Sequence, residues 1–417
     1  MTDIIVKKAK SSLNYIKTFV KWCLIAIVVG AVGGLVGTAF HKSVDYVTEV
    51  RHTNSWLVFL LPIGGVLIVA LYKLSKTNAG TNRIIESVRT NKKVPILMAP
   101  LIFVSTVITH LLGGSAGREG AALQLGGSIG YQFGKVFRLD EKDMHLIVML
   151  GMSGVFAALF GTPLTATFFA LEVISVGVIY YVALVPCIFA SVVAYNIALA
   201  FGVTPVRFGN VAMPSFDLMI LLKVVGLALL CALVSICFCS AMKFFDKLAE
   251  NKIPNAYIRA LLGGCAIVLL TLVVGSNDYN GAGMEVISWA MEGNAESFAF
   301  VLKIIFTVIT ISAGFKGGEI VPTFFIGSTF GCVMGGLLGL DPGFGAAIGF
   351  VALFCGVVNC PVASIMLALE VFGAQSIIIF AIVCGVSYMM SGYYGLYSSQ
   401  KIMYSKLEAT YININTK

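Results

Sequence analysis

The stretch GMSGVFAALFGTPLTATFFALEVI, Gly151–Ile174, returns later in the chain as GFVALFCGVVNCPVASIMLALEVF, Gly349–Phe372. Pro163 pairs with Pro361 and Glu172 with Glu370, both 198 residues apart. The glutamate follows the proline by nine residues in each copy. Weaker matches fall in the same order upstream. Gly113–Gly130 (GGSAGREGAALQLGGSIG) faces Gly314–Gly331 (GFKGGEIVPTFFIGSTFG), with Glu119 opposite Glu319 at a spacing of 200. Gly80–Ile85 faces Gly281–Val286, and Phe40–Tyr46 faces the stretch around Asp246. Matches in one order at a nearly constant offset define an internal duplication.

The duplicated material is apolar. Hydrophobic residues make up 58% of the 417, and charged residues only 12%, about half the share of a soluble domain. Such a chain covers a lipid-facing surface rather than a water-facing one. Apolar runs such as Trp22–Val36, Trp56–Tyr72 and Leu218–Phe238 suit membrane helices. Others are short or interrupted by glycine and proline, as in the broken helices of transporters. The net charge of +8 comes from clusters beside apolar runs: Lys7, Lys8, Lys10, Lys17 and Lys21, then Lys73, Lys76, Arg83, Arg89, Lys92 and Lys93. That is the positive-inside pattern, which places these segments in the cytoplasm and argues against a nucleic-acid partner. The N-terminal segment is too charged for a signal peptide. The ten cysteines form no CxxC pair and the four histidines lack ligand spacing, so neither a metal nor a disulfide framework is expected.

The charges also set the relation between the copies. The basic loop Lys73–Lys93 corresponds to about Gly275–Ser297, which holds Asp278, Glu285, Glu292 and Glu296 and no basic residue. The charge-balanced loop Lys42–Arg51 corresponds to Lys243–Arg259, with four basic residues against two acidic ones. Basic and non-basic loops exchange places, so the copies lie oppositely in the membrane. The expected fold is an all-α polytopic membrane protein of two inverted-topology repeats, with broken helices meeting at the bilayer midplane. Its expected divisions are a cytoplasmic segment 1–21, repeat one at 22–201, a junction at 202–217, repeat two at 218–391, and a pore-lining C-terminal helix with a cytoplasmic tail at 392–417.

Helix N-termini meeting in a membrane offer unpaired N–H groups to an anion without a full positive charge. Three glycine-rich sites precede apolar helical runs: Gly80-Thr81-Asn82, Gly117-Arg118-Glu119-Gly120, and Gly317-Gly318-Glu319-Ile320-Val321-Pro322. A carboxylate inside such a segment is costly. Glu119 either occupies an anion site when ionised and leaves it when protonated, or is a structural carboxylate paired with Arg118. Glu172 and Glu370, at equivalent positions, read as buried hydrogen-bonded structural groups. His110 reads as a core histidine. There is no nucleophile–base or metal constellation of an enzyme, and no GK[ST] for nucleotide phosphates.

Gly117-Arg118-Glu119-Gly120, followed by AALQLG, resembles the GREGP motif of the CLC chloride channels and transporters. GGEIVP stands where that family has GxFxP, Gly80-Thr81-Asn82 where it has GSGIP, and Leu396-Tyr397-Ser398 resembles its anion-lining tyrosine. The motifs span nearly the whole membrane region in the family's order. The resemblance implies a CLC-fold homodimer with one pore per subunit and no cofactor. Glu119 would be the gating, proton-carrying glutamate. Gly80, Thr81, Asn82, Gly117, Arg118, Gly120, Glu319, Ile320, Val321 and Tyr397 would form the anion path. With only about twenty residues after Tyr397, no cytoplasmic regulatory domain is expected. The departures point within the family. The serine of GSGIP is replaced by Thr81-Asn82, Val173 stands where chloride/proton members carry an internal proton glutamate, and Glu319 enters the GxFxP motif. This combination resembles the CLC-F branch of bacterial fluoride/proton antiporters. The implied partners are fluoride or chloride, protons and membrane lipid, in the inner membrane. A chloride/proton antiporter and a passive anion channel are the alternatives. Fluoride is small and strongly hydrated, so removing its water needs close donors. Backbone N–H groups, the Thr81 hydroxyl, the Asn82 amide and the Tyr397 hydroxyl would supply them. Glu319 either carries a proton or caps the following helix.

Overall fold

A computed structural model describes residues 2–77, 80–90, 92–209, 211–215 and 217–417, without the side chains of 2–11. Lys7, Lys8 and Lys10 fall among those side chains. Sixteen α-helices lie among the described residues, and they repeat as eight pairs. The first eight are α1 (Thr2–Thr53), α2 (Leu61–Leu74), α3 (Thr81–Thr90), α4 (Met98–Leu111), α5 (Glu119–Val136), α6 (Glu141–Phe160), α7 (Pro163–Glu172) and α8 (Leu184–Ala200). Their counterparts are α9 (Leu218–Lys252), α10 (Ala256–Val274), α11 (Met284–Met291), α12 (Ala299–Ser312), α13 (Ile320–Leu337), α14 (Pro342–Val358), α15 (Pro361–Phe372) and α16 (Ile377–Met390). Among the described residues, seven helical spans are long and apolar enough to cross a membrane.

The pairs arise from repeated local signals. Asp140 and Asp341 cap α6 and α14 by accepting the N–H groups of Asp143 and Phe344. Both helices end on a left-handed residue, Gly161 (φ 77°) and Asn359 (φ 57°). Pro163 and Pro361 then open α7 and α15, where the missing N–H costs nothing. At 52 residues, α1 would reach about 78 Å at 1.5 Å per residue. It therefore projects well past a hydrocarbon core of about 30 Å. No helix boundary separates residues 2–21 from the first repeat, because α1 runs through Lys21 and Trp22 without a break.

The two halves touch reciprocally at equivalent positions. Gly117 and Gly318 exchange two backbone hydrogen bonds, each 2.6 Å. The Glu172 carboxylate accepts the N–H groups of Val362 and Ala363 at the start of α15, at 3.2 and 2.8 Å. The Glu370 carboxylate accepts those of Leu164 and Thr165 at the start of α7, at 2.9 and 2.8 Å. A contact made in both directions between equivalent residues is the mark of a two-fold relation, as in a symmetric dimer. Glu172 and Glu370 are thus the structural carboxylates expected from their burial. Within each half, glycine lets helices meet at backbone distance. A Cβ on Gly126 would lie 2.2 Å from the Gly151 carbonyl oxygen, and one on Gly327 would lie 2.3 Å from that of Gly349.

Two expectations are corrected. The reciprocal Gly117–Gly318 bridge pairs residues 201 apart, so Glu119 is equivalent to Ile320, and Glu319 to Arg118. The offset falls to 198 downstream because α14 is three residues shorter than α6 (17 against 20). A match anchored on Pro163 and Glu172 therefore slips upstream. The second correction concerns 392–417, which forms no helix. It carries β2 (Lys401–Tyr404) and β3 (Tyr411–Asn415), paired antiparallel, with β2 lying parallel to β1 (Ser175–Val176). KIMY and YININ alternate residue by residue and are rich in β-branched and aromatic side chains, which favours strand over helix.

Candidate functional site

Glu119 begins α5 and is 1% exposed. Its Oε2 accepts the Arg118 backbone N–H at 3.1 Å, and Oε1 lies 3.8 Å from Arg118 Nε. The same guanidinium pairs with Asp45 on α1. Asp45 in turn accepts from His41 Nε2 at 2.8 Å. Gly117 makes room for the carboxylate: a Cβ there would lie 3.0 Å from Glu119 Oε2 and 2.9 Å from Val321 Cβ.

Two cavities flank this strip. One of about 460 Å³ is lined by Asp45, Arg51, His110, Arg118, Asp278 and Glu285, among others. The other, of about 330 Å³, is lined by Gly80, Thr81, Asn82, Gln124, Glu319 and Tyr397, with Asp246, Glu250, Arg259 and Lys316 at its side. Arg118 faces the first cavity, whereas Gly317 and Glu319 face the second. The bridge between Gly117 and Gly318 closes the strip between them. The Arg118 cavity carries the acidic loop of the second repeat. The Tyr397 cavity adjoins the lysines at the end of α2.

The Tyr397 cavity contains polar atoms without protein partners. The Tyr397 hydroxyl, Glu319 Oε2, Gln124 Oε1 and Ser312 Oγ are all enclosed and unpaired within the protein. Unpaired buried groups are costly, so their convergence marks a place for an ion or water. Thr81 Oγ1 donates to the Gly120 carbonyl at 3.4 Å and accepts from Gln124 Nε2 at 3.2 Å. Asn82 Oδ1 accepts the Ser399 N–H at 3.0 Å, leaving its amide N–H groups for the cavity. Glu319 Oε2 lies 3.3 Å from where a Gly120 Cβ would stand.

Of the residues read from sequence, Gly80, Thr81, Asn82, Glu319 and Tyr397 come together in one cavity. Gly117 and Gly120 form the strip above it. Ile320 and Val321 begin α13 and are buried; Val321 packs against Gly117. Arg118 does not enter the Tyr397 cavity, because Asp45 and Glu119 hold it on the other side. His110 is buried, with Nδ1 2.9 Å from the Thr106 carbonyl, but it lines the Arg118 cavity and its Nε2 has no protein partner, so it is not the fully paired core histidine expected. Sequence reasoning missed Gln124, a buried amide on the apolar helix α5, whose cost of burial was the available signal. It also missed Asp45 and His41, which pair with each other four residues apart on α1 and whose further partners, Arg118 and the Leu159 carbonyl, lie 73 and 118 residues away.

Two symmetry-related helical halves, with a buried glutamate on the strip between opposed cavities, define a polytopic membrane protein of the CLC fold. The chain belongs to the voltage gated chloride channel family, whose model matches residues 64–392. A chloride/fluoride channel protein of Pseudomonas syringae pv. tomato is 36% identical over 94% of this chain and 89% of its own. An H(+)/Cl(−) exchange transporter, ClcA, of Vibrio cholerae is 26% identical over 88% of this chain and 86% of its own. A solved CLC-type fluoride/proton antiporter has a TM-score of 0.88 at 33% identity, covering 91% of this chain and 98% of its own. A slow cyanobacterial Cl−/H+ antiporter shares the fold, with a TM-score of 0.75 at 21% identity, covering 89% and 94%.

Proposed function

We propose that this protein exports fluoride from the cytoplasm in exchange for protons. The observation that carries the reading is the placement of two carboxylates. Glu119 lies on the strip between the cavities, and Glu319 projects an unpaired oxygen into the cavity below it. Antiport requires that the anion and the proton alternate at a shared place. An ionised Glu119 competes with an anion for the N–H groups at the start of α5. A protonated Glu119 gives up that claim and carries its proton between cavities. Glu319 supplies a second proton-accepting group on the Tyr397 side, where chloride/proton relatives would use a glutamate after Glu172 and this chain has Val173. The enclosed donors of Thr81, Asn82 and Tyr397 suit a small, strongly hydrated anion. The 33% identity to a fluoride/proton antiporter supports fluoride over chloride. We further assign it to the inner membrane, with the Tyr397 cavity facing the cytoplasm, and to a homodimer. Inward proton flow would then drive out fluoride that entered as uncharged HF and dissociated inside.

The test is flux from liposomes containing the purified protein, following fluoride, chloride and pH under an imposed anion gradient. Fluoride efflux that pumps protons uphill with little chloride movement is the expected result. Comparable proton-coupled chloride flux would reassign the chain to chloride exchange, and uncoupled flux would make it a channel. Replacing Glu119 by Gln should abolish uphill proton movement, and proton pumping that persists in that variant would remove Glu119 from the mechanism.

A further inference from the structure

We propose that a lateral pocket between α2, α10 and the turn before α13 binds the phosphate of an anionic phospholipid. The pocket has a volume of about 400 Å³ and is lined by Ile68, Val69, Tyr72, Lys73, Lys76, Thr77, Ala256, Arg259, Gly314 and Lys316. Four of those ten residues are cationic and none is acidic. Lys73, Lys76, Arg259 and Lys316 enter no ion pair among the described residues. Aromatic rings hold two of them in place: Lys73 Nζ lies 4.3 Å from the Tyr257 ring centre and Lys316 Nζ 5.0 Å from that of Tyr72. Arg259 gives one N–H to the Ile253 carbonyl at 3.2 Å, and its Nε is enclosed without a partner.

The level of the pocket fits a headgroup. Ser55–Leu74 and Ala256–Val274 are spans long and apolar enough to cross a membrane. The cations stand where the first span ends and the second begins, at one face of the hydrocarbon. Basic pockets between helices at that level on the cytoplasmic side suit anionic headgroups. Leu67 and Leu74 on the first span, and Leu261 and Leu262 on the second, are exposed, so acyl chains have an apolar wall beside the charged pocket. Arg259 and Lys316 also line the Tyr397 cavity, where Asp246 and Glu250 face them. A bound phosphate therefore draws on two cations that the anion cavity also uses.

Native mass spectrometry of the full chain, exchanged from mixtures of phosphatidylcholine and phosphatidylglycerol, tests the site. Wild type should retain phosphatidylglycerol selectively. Lys73→Gln with Lys76→Gln, both outside the Tyr397 cavity, should weaken that retention about thirtyfold. Lys17→Gln with Lys142→Gln removes the same charge elsewhere and should leave it unchanged. Equal losses in both double variants, or no selective retention by wild type, would overturn the proposal. Retention of inorganic phosphate in place of the lipid would assign the pocket to a soluble anion and overturn it too.

Discussion

The Tyr397 hydroxyl is buried yet unpaired within the protein. An unpaired buried hydroxyl is costly, and on the proposed function the anion in the cavity is its partner. Tyr397→Phe should leave the thermal midpoint unchanged and weaken anion binding about tenfold, consistent with about 1.5 kcal/mol for a hydrogen bond to a charged group. Calorimetry of fluoride binding checks it; unchanged affinity would take Tyr397 off the anion path. Behind the cavity, Glu86 on the short polar helix α3 accepts from Ser399 at 3.0 Å and from Lys92 at 2.6 Å. The Lys92 hydrogen bond holds the Glu86 carboxyl below its ordinary range. Its stabilising effect is therefore present above the unfolded-state value and fades as pH falls through the lowered folded one. Glu86→Gln should melt below wild type at neutral pH and converge with it in acid, which a pH series of melting curves resolves. The Glu86–Ser399 link spans 313 residues, and nothing local in either segment announces it. The glutamate of the GREG motif was legible because glycine and a lone carboxylate in an apolar run are locally improbable. The Asp45–Arg118 pair was not, because an acid on α1 and a base in the turn before α5, 73 residues apart, are individually ordinary.

Half-helices α7 and α15 begin where the chain reverses, and each needs acceptors for its first N–H groups. Each takes them from the other repeat. Glu370 accepts three hydrogen bonds, including one from the Thr165 hydroxyl at 2.7 Å. Ala363 stands at the equivalent position opposite Glu172, so Glu172 accepts two. Glu370→Ala should destabilise the protein by on the order of 3 kcal/mol, and Glu172→Ala by less. Denaturant titration in detergent gives the order, and Thr165→Ala should narrow the gap. These elements were readable from Pro163, Pro361 and the nine-residue spacing. The C-terminal strands were not, because β1 contributes only two residues and lies 226 positions from its β2 partners. A two-residue strand has no periodicity to detect; its existence depends on tertiary pairing. The tail also secures the site, since the Thr416 hydroxyl donates to the Tyr397 carbonyl at 2.6 Å.

At the scale of the whole molecule, the exchange of basic and acidic loops between repeats turns one duplicated sequence into a structure with unlike ends. Lys73 and Lys76 mark one end, and Asp278 and Glu285 the other. Single cysteines at positions 76 and 285 should react with a membrane-impermeant thiol reagent from opposite sides: 285 in intact cells, and 76 only after permeabilisation. Reaction of both from one side would break the inverted arrangement. The duplication was legible from sequence because prolines and buried glutamates tolerate few positions. Its local register was not, because the loss of three residues between α6 and α14 hides among apolar side chains that align equally well at several offsets.

The reciprocal carboxylate caps also impose an order in time. When α7 leaves the ribosome, the glutamate that will close its first turn lies about 200 residues ahead, roughly 10 to 40 seconds away at ordinary synthesis rates. For that interval the nascent first repeat holds unsatisfied N–H groups within the membrane. It must be sheltered by the insertion machinery or by water until the second repeat arrives to complete it.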